Sequence, residues 1–394
     1  MNSRIYALLV LLLVAGAALR IEVDDVEEYS PDDEAVYVRT TRLLHEHGWS
    51  SYPALVQQYI ADPAAWLYPH PLRWGHFVLT TLACKVSGRC DARTLAGLST
   101  AAGILSILLV FLIGRELLGV EVALIAATLT ATSPLQLAMG RRALQDEVFC
   151  AAILLTLWLG SLVVRAADGN ARRRLGLIAT AVASMTLTLG IKESFLLLYP
   201  AVLLFLAILA PSPHLRALRR IAPLVLLPPA LYALVTIVLC GGVKRSLSLL
   251  HIVMTAASSA STPFVQQFSS GPFHRPLFDL VILSPIVMAL AIAGAARSGR
   301  NRALHALAAF AAAALIIFGL VSIKNVRYVI PVDPVARLLA ASAIASLPRR
   351  PWLALGVIGL IAATELRLFY DLFEVADIYD PLTDELLRAL HAIP

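Results

Sequence analysis

Eleven long apolar runs dominate this chain, and no other feature constrains its fold as strongly. A helix needs about 20 apolar residues to cross the hydrocarbon core of a bilayer. Runs of that order lie at 5–21, 94–114, 120–138, 147–164, 175–191, 194–210, 221–240, 277–296, 303–322, 328–347 and 352–369. In lipid every backbone polar group must bond internally, so the runs read as helices and the fold class as an all-α, polytopic transmembrane bundle. Composition agrees. Of 394 residues, 59% are hydrophobic and 15% charged, against roughly a quarter charged in soluble domains. That balance excludes a disordered chain, a disulfide scaffold and a nucleic-acid-binding module. The first run, Ile5–Ile21, reads as a retained helix, with cleavage after "AGAALR" as the alternative.

A shorter stretch, 72–87, contains Arg73, His76 and Lys85. The positive-inside rule decides whether it crosses. If it does not, Arg4 and the arginines at 115, 165, 172–174, 216–220, 297–302 and 349–350 share one side. The acidic stretches 22–62 and 371–394, which hold sixteen of the 26 acids, then share the other. The rule therefore predicts eleven spans, a cytoplasmic N-terminus, an external C-terminus and an interfacial helix at 72–87. External loops fall at 22–93 and 242–276. Residues 1–347 read as the transmembrane catalytic module, and 348–394 as a last helix with a short acidic external tail and no large soluble domain after it.

The net charge of +6 says less than the bases that break this rule. Arg141 and Arg142 in "GRRALQDE", Lys192, Lys324 and Arg327 all fall on the external side. Bases held there point to a bound anion, with interface snorkelling as the plain alternative. In "SPDDEAVYVRTTRLLHEHGW", Ser30 suits an N-cap, Pro31 the first helical position, Asp33 the third, and Gly48 the stop. Capping and the helix dipole account for these carboxylates. The functional alternative makes Asp33 or Glu34 a base at the membrane surface. Asp146 and Glu147 open another run, again as caps or as site acids. Lys192 and Glu193 are either an adjacent ion pair or part of a site. Asp333 and Arg337 lie four apart on one helical face, where they can pair inside an apolar span. His70, between Pro69 and Pro71, reads as a wall residue. There is no HExxH, P-loop, GxGxxG or GxSxG pattern. Cys84 and Cys90, in "CKVSGRC", form a disulfide in an oxidising compartment and two thiols otherwise. Cys150 and Cys240 behave as small buried hydrophobes.

In order and spacing, five stretches together resemble the GT-C superfamily of integral-membrane glycosyltransferases. These are "PDDEAVYVRTTRLLHEHGW", "YPHPLRWGHFVLT", "GRELLGVEVALIAATLTATSPLQLAMGRRALQDEVF", "GIKESFLLLYP" and "KNVRYVIPVDPVARLLAA". The nearest families are the polyprenyl-phosphate-sugar transferases, namely protein O-mannosyltransferases and aminoarabinose transferases. The resemblance implies inverting transfer of a sugar from a polyprenyl-phosphate donor to a hydroxyl of a glycan, lipid or protein. The reaction would occur at the outer face of a bacterial inner membrane. It implies Asp33 as the base, with Glu34 and Asp146 beside it. It implies Lys192 and Arg327 on the donor phosphate and Tyr328 against substrate; the bases that break the charge rule add Arg141, Arg142 and Lys324 on the phosphate, and His70 is expected against substrate. The family's basic residue followed by Pro-Pro-Leu is matched only by Pro71 and Leu72, after Pro69 and His70. Metal use varies in the superfamily. Asp33 and Asp146 would be the oxygen ligands of a Mg or Mn ion, and no nucleotide is implied. The alternative is a lipid or sugar transporter or flippase, which would show deep charges and an internal repeat. Asp333 and Arg337 are the only deep charges legible in the sequence, and no repeat is.

Overall fold

A computed structural model describes residues 3–21, 33–166, 171–210, 215–258, 270–299, 301–347 and 351–375. Ser30, Pro31, the acids at 22–32 and 377–385, Arg300, Arg349, Arg350 and part of the 242–276 loop lie outside the described residues. Among the described residues all regular structure is helical. In chain order, the first helices are α1 (Ser3–Ala18), α2 (Asp33–His47), α3 (Tyr52–Ala61), α4 (Trp74–Ser87), α5 (Ala92–Leu117) and α6 (Val120–Ala131). Next come α7 (Pro134–Gly140), α8 (Asp146–Arg165), α9 (Ala171–Ile191), α10 (Phe195–Leu209), α11 (Leu215–Leu239) and α12 (Val243–Ser258). The chain closes with α13 (Arg275–Leu283), α14 (Pro285–Ala296), α15 (Arg302–Leu320), α16 (Val332–Ala345) and α17 (Pro351–Phe369).

Each predicted run contains helix, but they are not eleven straight spans. Among the described residues, six helices are long and apolar enough to cross a membrane alone: α5, α8, α9, α11, α15 and α17. Two runs break. The α6–α7 pair bends by 59° and the α13–α14 pair by 116°. Both breaks are a serine followed by a proline, Ser133-Pro134 and Ser284-Pro285. Proline has no N–H to continue the preceding helix but is well suited to start the next. The Ser133 hydroxyl accepts the Gln136 N–H at 3.3 Å, capping the new start. The run at 328–347 begins as a 3₁₀ turn, Val326–Val329, and becomes α helix only at Val332. Stretch 72–87 is the 14-residue α4, short of the length a span needs.

The short helix α16 lies at the centre of the bundle, packed on α14, α6 and α15. At the perimeter, Leu11, Leu226, Leu234, Val238 and Leu355 are exposed, the pattern of helices that face lipid. The bundle buries more charge than Asp333 and Arg337 alone. Arg337 donates from Nε to Asp333 at 3.0 Å, from Nη1 to Glu365 at 2.8 Å and to the Leu129 carbonyl at 2.6 Å, and from Nη2 to the Ser284 hydroxyl at 2.9 Å. Arg20, at the end of the first run, is also fully buried. It threads between α5 and α7, where a Cβ on Gly103 would lie 2.7 Å from its Nε. Glu147, also buried, accepts from the Ser106 hydroxyl at 2.9 Å. Among the described residues, Arg20, Glu147 and Glu365 thus join the expected pair as buried charges within the bundle.

A second layer sits on one end of this bundle. Tyr37, Val38, Leu44, Tyr52, Val56, Leu72, Trp74 and Phe77 form a separate apolar core with Leu249 and Ile252 of α12. The two predicted external loops therefore pack together. Gly88, with φ of 71°, ends α4 in the left-handed conformation that favours glycine. The Cys84–Cys90 disulfide closes this turn. The layer is fixed to the bundle by close approach of α4 to α9. A Cβ on Gly75 would lie 2.7 Å from the Gly190 carbonyl carbon, and one on Gly190 would meet the Trp74 ring. That contact sets where the chain leaves α9, two residues before Lys192.

Candidate active site

Charged side chains from four elements converge where the outer layer meets the bundle. Asp146 opens α8, Lys192 follows α9, Asp33 opens α2, and Arg327 stands on the Val326–Val329 turn. The turn is held by Asn325, whose side chain accepts the Arg327 N–H at 3.0 Å. Lys192 donates to Asp146 Oδ1 at 2.6 Å, and both side chains are 3% exposed. The Lys192 ammonium also sits 4.8 Å from the centre of the Tyr328 ring and 5.6 Å from that of Phe149. Arg327 reaches Asp33 Oδ2 at 3.5 Å and Asp146 Oδ2 at 3.9 Å. The result is a row of alternating charge, Asp33–Arg327–Asp146–Lys192, buried at the lysine end and open at the aspartate end. Asp33 is 38% exposed and Arg327 29%. Burial draws the Lys192 pKa down from its ordinary value, against the pull of Asp146. For Arg327 burial acts in the same sense, but Asp146 and Asp33 outweigh it and raise the pKa.

A second ion pair braces this row. Arg73 donates to both oxygens of Glu193, each at 3.0 Å, and to the Tyr37 hydroxyl at 2.6 Å. His70 Nε2 lies 3.4 Å from Glu193. Burial opposes the charged form of Glu193, but Arg73 and His70 hold the carboxyl well below its usual range. Arg73 likewise overcomes burial through Glu193 and Tyr37, and its pKa rises. Burial lowers the His70 pKa. The adjacent pairing of Lys192 with Glu193, the alternative to a role in the site, is not formed. The turn after α9 points the two side chains apart, Lys192 to Asp146 and Glu193 to Arg73.

The other predicted site residues occupy different surroundings. Glu34 is buried and takes Arg142 in a two-point pair, at 3.1 and 2.5 Å, as well as the Ala143 N–H at 2.7 Å. This fixes the loop between α7 and α8 to the start of α2. Arg141 bonds Glu374 and lies over the Phe369 ring at 5.4 Å. Lys324 donates to the Val321 carbonyl at 2.8 Å. Tyr328 stacks on Phe318. Arg73 and Tyr37 are not among the site residues expected from the sequence. Arg73 carried a usable signal, since it is a further base on the side where bases break the charge rule.

The donor set does not suit a divalent cation. Among the described residues no three His, Cys, Asp or Glu side chains converge. Asp33 and Asp146 were expected to share an ion, but the Arg327 guanidinium already bridges them. What the arrangement offers is an accessible carboxylate beside a guanidinium, backed by a buried ammonium. Such a site can take a proton from a hydroxyl and stabilise an anion a few ångströms away.

Residues 70–240 match the family described as dolichyl-phosphate-mannose-protein mannosyltransferase. No curated protein sequence matches the chain. Among solved structures, the chain is similar to ArnT from Cupriavidus metallidurans bound to undecaprenyl phosphate. The TM-score is 0.61 at 16% identity, over 92% of this chain and 63% of that one. It is similar to the archaeal oligosaccharyltransferase AglB from Archaeoglobus fulgidus in complex with an inhibitory peptide and a dolichol-phosphate. There the TM-score is 0.58 at 16% identity, over 94% of this chain and 55% of that one. A complex of the Archaeoglobus fulgidus oligosaccharyltransferase with Zn and sulfate gives 0.58 at 17% identity, over 98% and 55%. The chain thus spans less than two thirds of the length of these proteins. The fold of this chain is thus similar to that of these membrane glycosyltransferases, and its match to the mannosyltransferase family is confined to residues 70–240.

Proposed function

We propose that this chain transfers a sugar from a polyprenyl-phosphate donor to a hydroxyl acceptor, with inversion at the anomeric carbon. The observation that carries the reading is the charge row, open at Asp33 and closed at Lys192. Asp33 accepts the proton of the acceptor hydroxyl as its oxygen attacks the anomeric carbon. The bond from that carbon to the phosphate oxygen breaks, and the lipid phosphate leaves as an anion. A phosphate is a weakly basic leaving group, so cations serve it where a general acid is not needed. Arg327 and Lys192 supply them. Asp146 holds both cations in place and is held by them. Arg73 and Glu193 position Tyr37 and His70 at the edge of the site. Arg141, Arg142 and Lys324, expected on the phosphate, serve instead to hold the loops that frame it. Arg327 takes the place between the carboxylates that an ion would need. The solved relatives in complex with undecaprenyl phosphate and dolichol-phosphate support a lipid phosphate donor. The charge asymmetry of the sequence supports an external site and a cytoplasmic N-terminus.

The test is mass spectrometry of lipid-linked sugars and surface glycans from cells with and without the protein. The expected result is accumulation of one polyprenyl-phosphate sugar and loss of one glycan modification when the protein is absent. Movement of a lipid across vesicle membranes with no covalent product would favour the flippase reading instead.

A further inference from the structure

Gln145 is the N-cap of α8, yet its side chain does not cap the helix. It is 3% exposed and lies where the outer layer meets the bundle. One orientation of its amide suits the neighbours at both ends. The nitrogen then donates to the Ile191 carbonyl at 3.1 Å and to the Tyr37 hydroxyl at 2.7 Å, and the oxygen accepts from Arg73 Nη1 at 3.0 Å. Both N–H groups and the oxygen are thereby used.

These contacts bracket Lys192. Gln145 holds Ile191, the residue before it, and Arg73 holds Glu193, the residue after it, at 3.0 Å. Gln145 and Arg73 are bonded to each other, so the bracket is closed. Asp146, the residue after Gln145, takes the Lys192 ammonium at 2.6 Å. The Gln145–Ile191 and Asp146–Lys192 bonds therefore tie the same two segments, the start of α8 and the end of α9, one residue apart. The ammonium also meets the Tyr328 and Phe149 rings, which attract a cation without the directionality of a hydrogen bond. A buried amide that served stability alone could sit anywhere in the interior. This one joins the chain neighbours of both members of the ion pair.

We propose that Gln145 is a positioning residue: it holds the end of α9 against the start of α8, so that the Lys192 ammonium stays on Asp146 and beside the leaving phosphate. The role of the phosphate rests on the glycosyl-transfer reading above; the hold on Lys192 does not. Moving a catalytic group by about 1 Å costs about 10²-fold in rate, and loss of the Ile191 bond gives the end of α9 that freedom.

The test is Q145A on the full chain in micelles, with two readouts. The first is the pH titration of Lys192, followed by ¹³Cε NMR. The chain has four lysines, at 85, 192, 244 and 324, and K192M assigns the signal. Lys192 faces Asp146, Arg73 and Arg327. Burial lowers its pKa, Asp146 raises it, and the two arginines lower it. A loosened Asp146 bond therefore moves the midpoint down in Q145A. The second readout is a double-mutant cycle on the rate of polyprenyl phosphate release from a synthetic donor. Q145A should lower kcat about 10²-fold with donor KM little changed, and by less than about twofold when Lys192 is already methionine. Y37F removes the hydroxyl that holds the Gln145 nitrogen and should shift the Lys192 midpoint the same way by less. It decides the first readout if Q145A does not fold. An unchanged Lys192 midpoint, or the same fold loss of kcat in both backgrounds, would overturn the proposal. A shifted midpoint in a chain that releases no polyprenyl phosphate would uphold the hold on Lys192 and overturn the glycosyl-transfer reading.

Discussion

Replacing Lys192 by methionine separates a structural role from a chemical one. The ammonium lies 2.6 Å from Asp146, and both side chains are 3% exposed. At an effective dielectric near 20, the attraction at that distance is roughly 6 kcal/mol before desolvation is subtracted. Removing one partner of a buried pair costs about 3–5 kcal/mol net, because the other charge is stranded. Arg327, 3.9 Å from the second Asp146 oxygen, still offsets part of this, so the loss belongs at the lower end. K192M should therefore lose about 3 kcal/mol of stability, or about 5 °C in Tm. It should also lose about 10²–10³ in kcat, the usual effect of deleting one electrostatic stabiliser of a developing anion. The double variant K192M/D146N removes both charges. It should recover most of the Tm, because no charge is left stranded, and none of the kcat, because the cation is still missing. The assays are thermal unfolding in micelles and the rate of polyprenyl phosphate release from a synthetic donor. Recovery of kcat in the double variant, or a K192M rate close to wild type, would refute the assignment of Lys192 to the leaving group.

The buried Arg337 should be far less replaceable than its partner Glu365. R337M strands Asp333 and Glu365 and should cost about 3–5 kcal/mol, whereas E365Q keeps the Asp333 pair and should cost about 1 kcal/mol; equal Tm values in micelles would contradict this. His76 is buried edge-on against Tyr37 at 4.7 Å between ring centres, with neither ring nitrogen hydrogen-bonded. Burial, then Arg73, pushes its pKa from 6.5 down to about 3. The unfolded chain takes up this proton below pH 6.5 and the folded chain does not, so stability falls as pH drops from 6.5 towards 3. At pH 5 the penalty is about 2 kcal/mol, and H76F should be spared it; parallel pH profiles of Tm for the two proteins would count against the reading. Turnover should survive EDTA, since a guanidinium and not an ion joins Asp33 to Asp146; activity lost to EDTA and restored only by Mg or Mn would contradict the site as described.

Much of this arrangement is legible in the sequence, for identifiable reasons. The spans announce themselves because lipid leaves the backbone no alternative to helix. Lys192 and Arg327 stand out because they break a charge rule that most of the loops obey. What pairs them cannot be read in the same way. Arg73 and Glu193 are 120 positions apart, and only the close approach of α4 to α9 at Gly75 and Gly190 brings them together. Arg20 resembles a snorkelling base at the end of a run, and its burial depends on Gly103 and Gly140 leaving room for it. Glu365 lies 28 positions from Arg337, beyond the reach of helical spacing. Apolar length also hides breaks. The runs at 120–138 and 277–296 read as continuous, yet Pro134 and Pro285 bend them by 59° and 116°.

In the proposed reaction Asp33, the exposed end of the charge row, takes the acceptor's proton. The most direct measurement of that step is the single-turnover rate of sugar transfer by D33N, with folding checked by Tm. Asparagine keeps the shape and removes the basic oxygen, so the rate should fall by about 10²–10⁴ while Tm changes little, since Asp33 is 38% exposed. A folded D33N protein that transfers sugar at the wild-type rate would contradict the account.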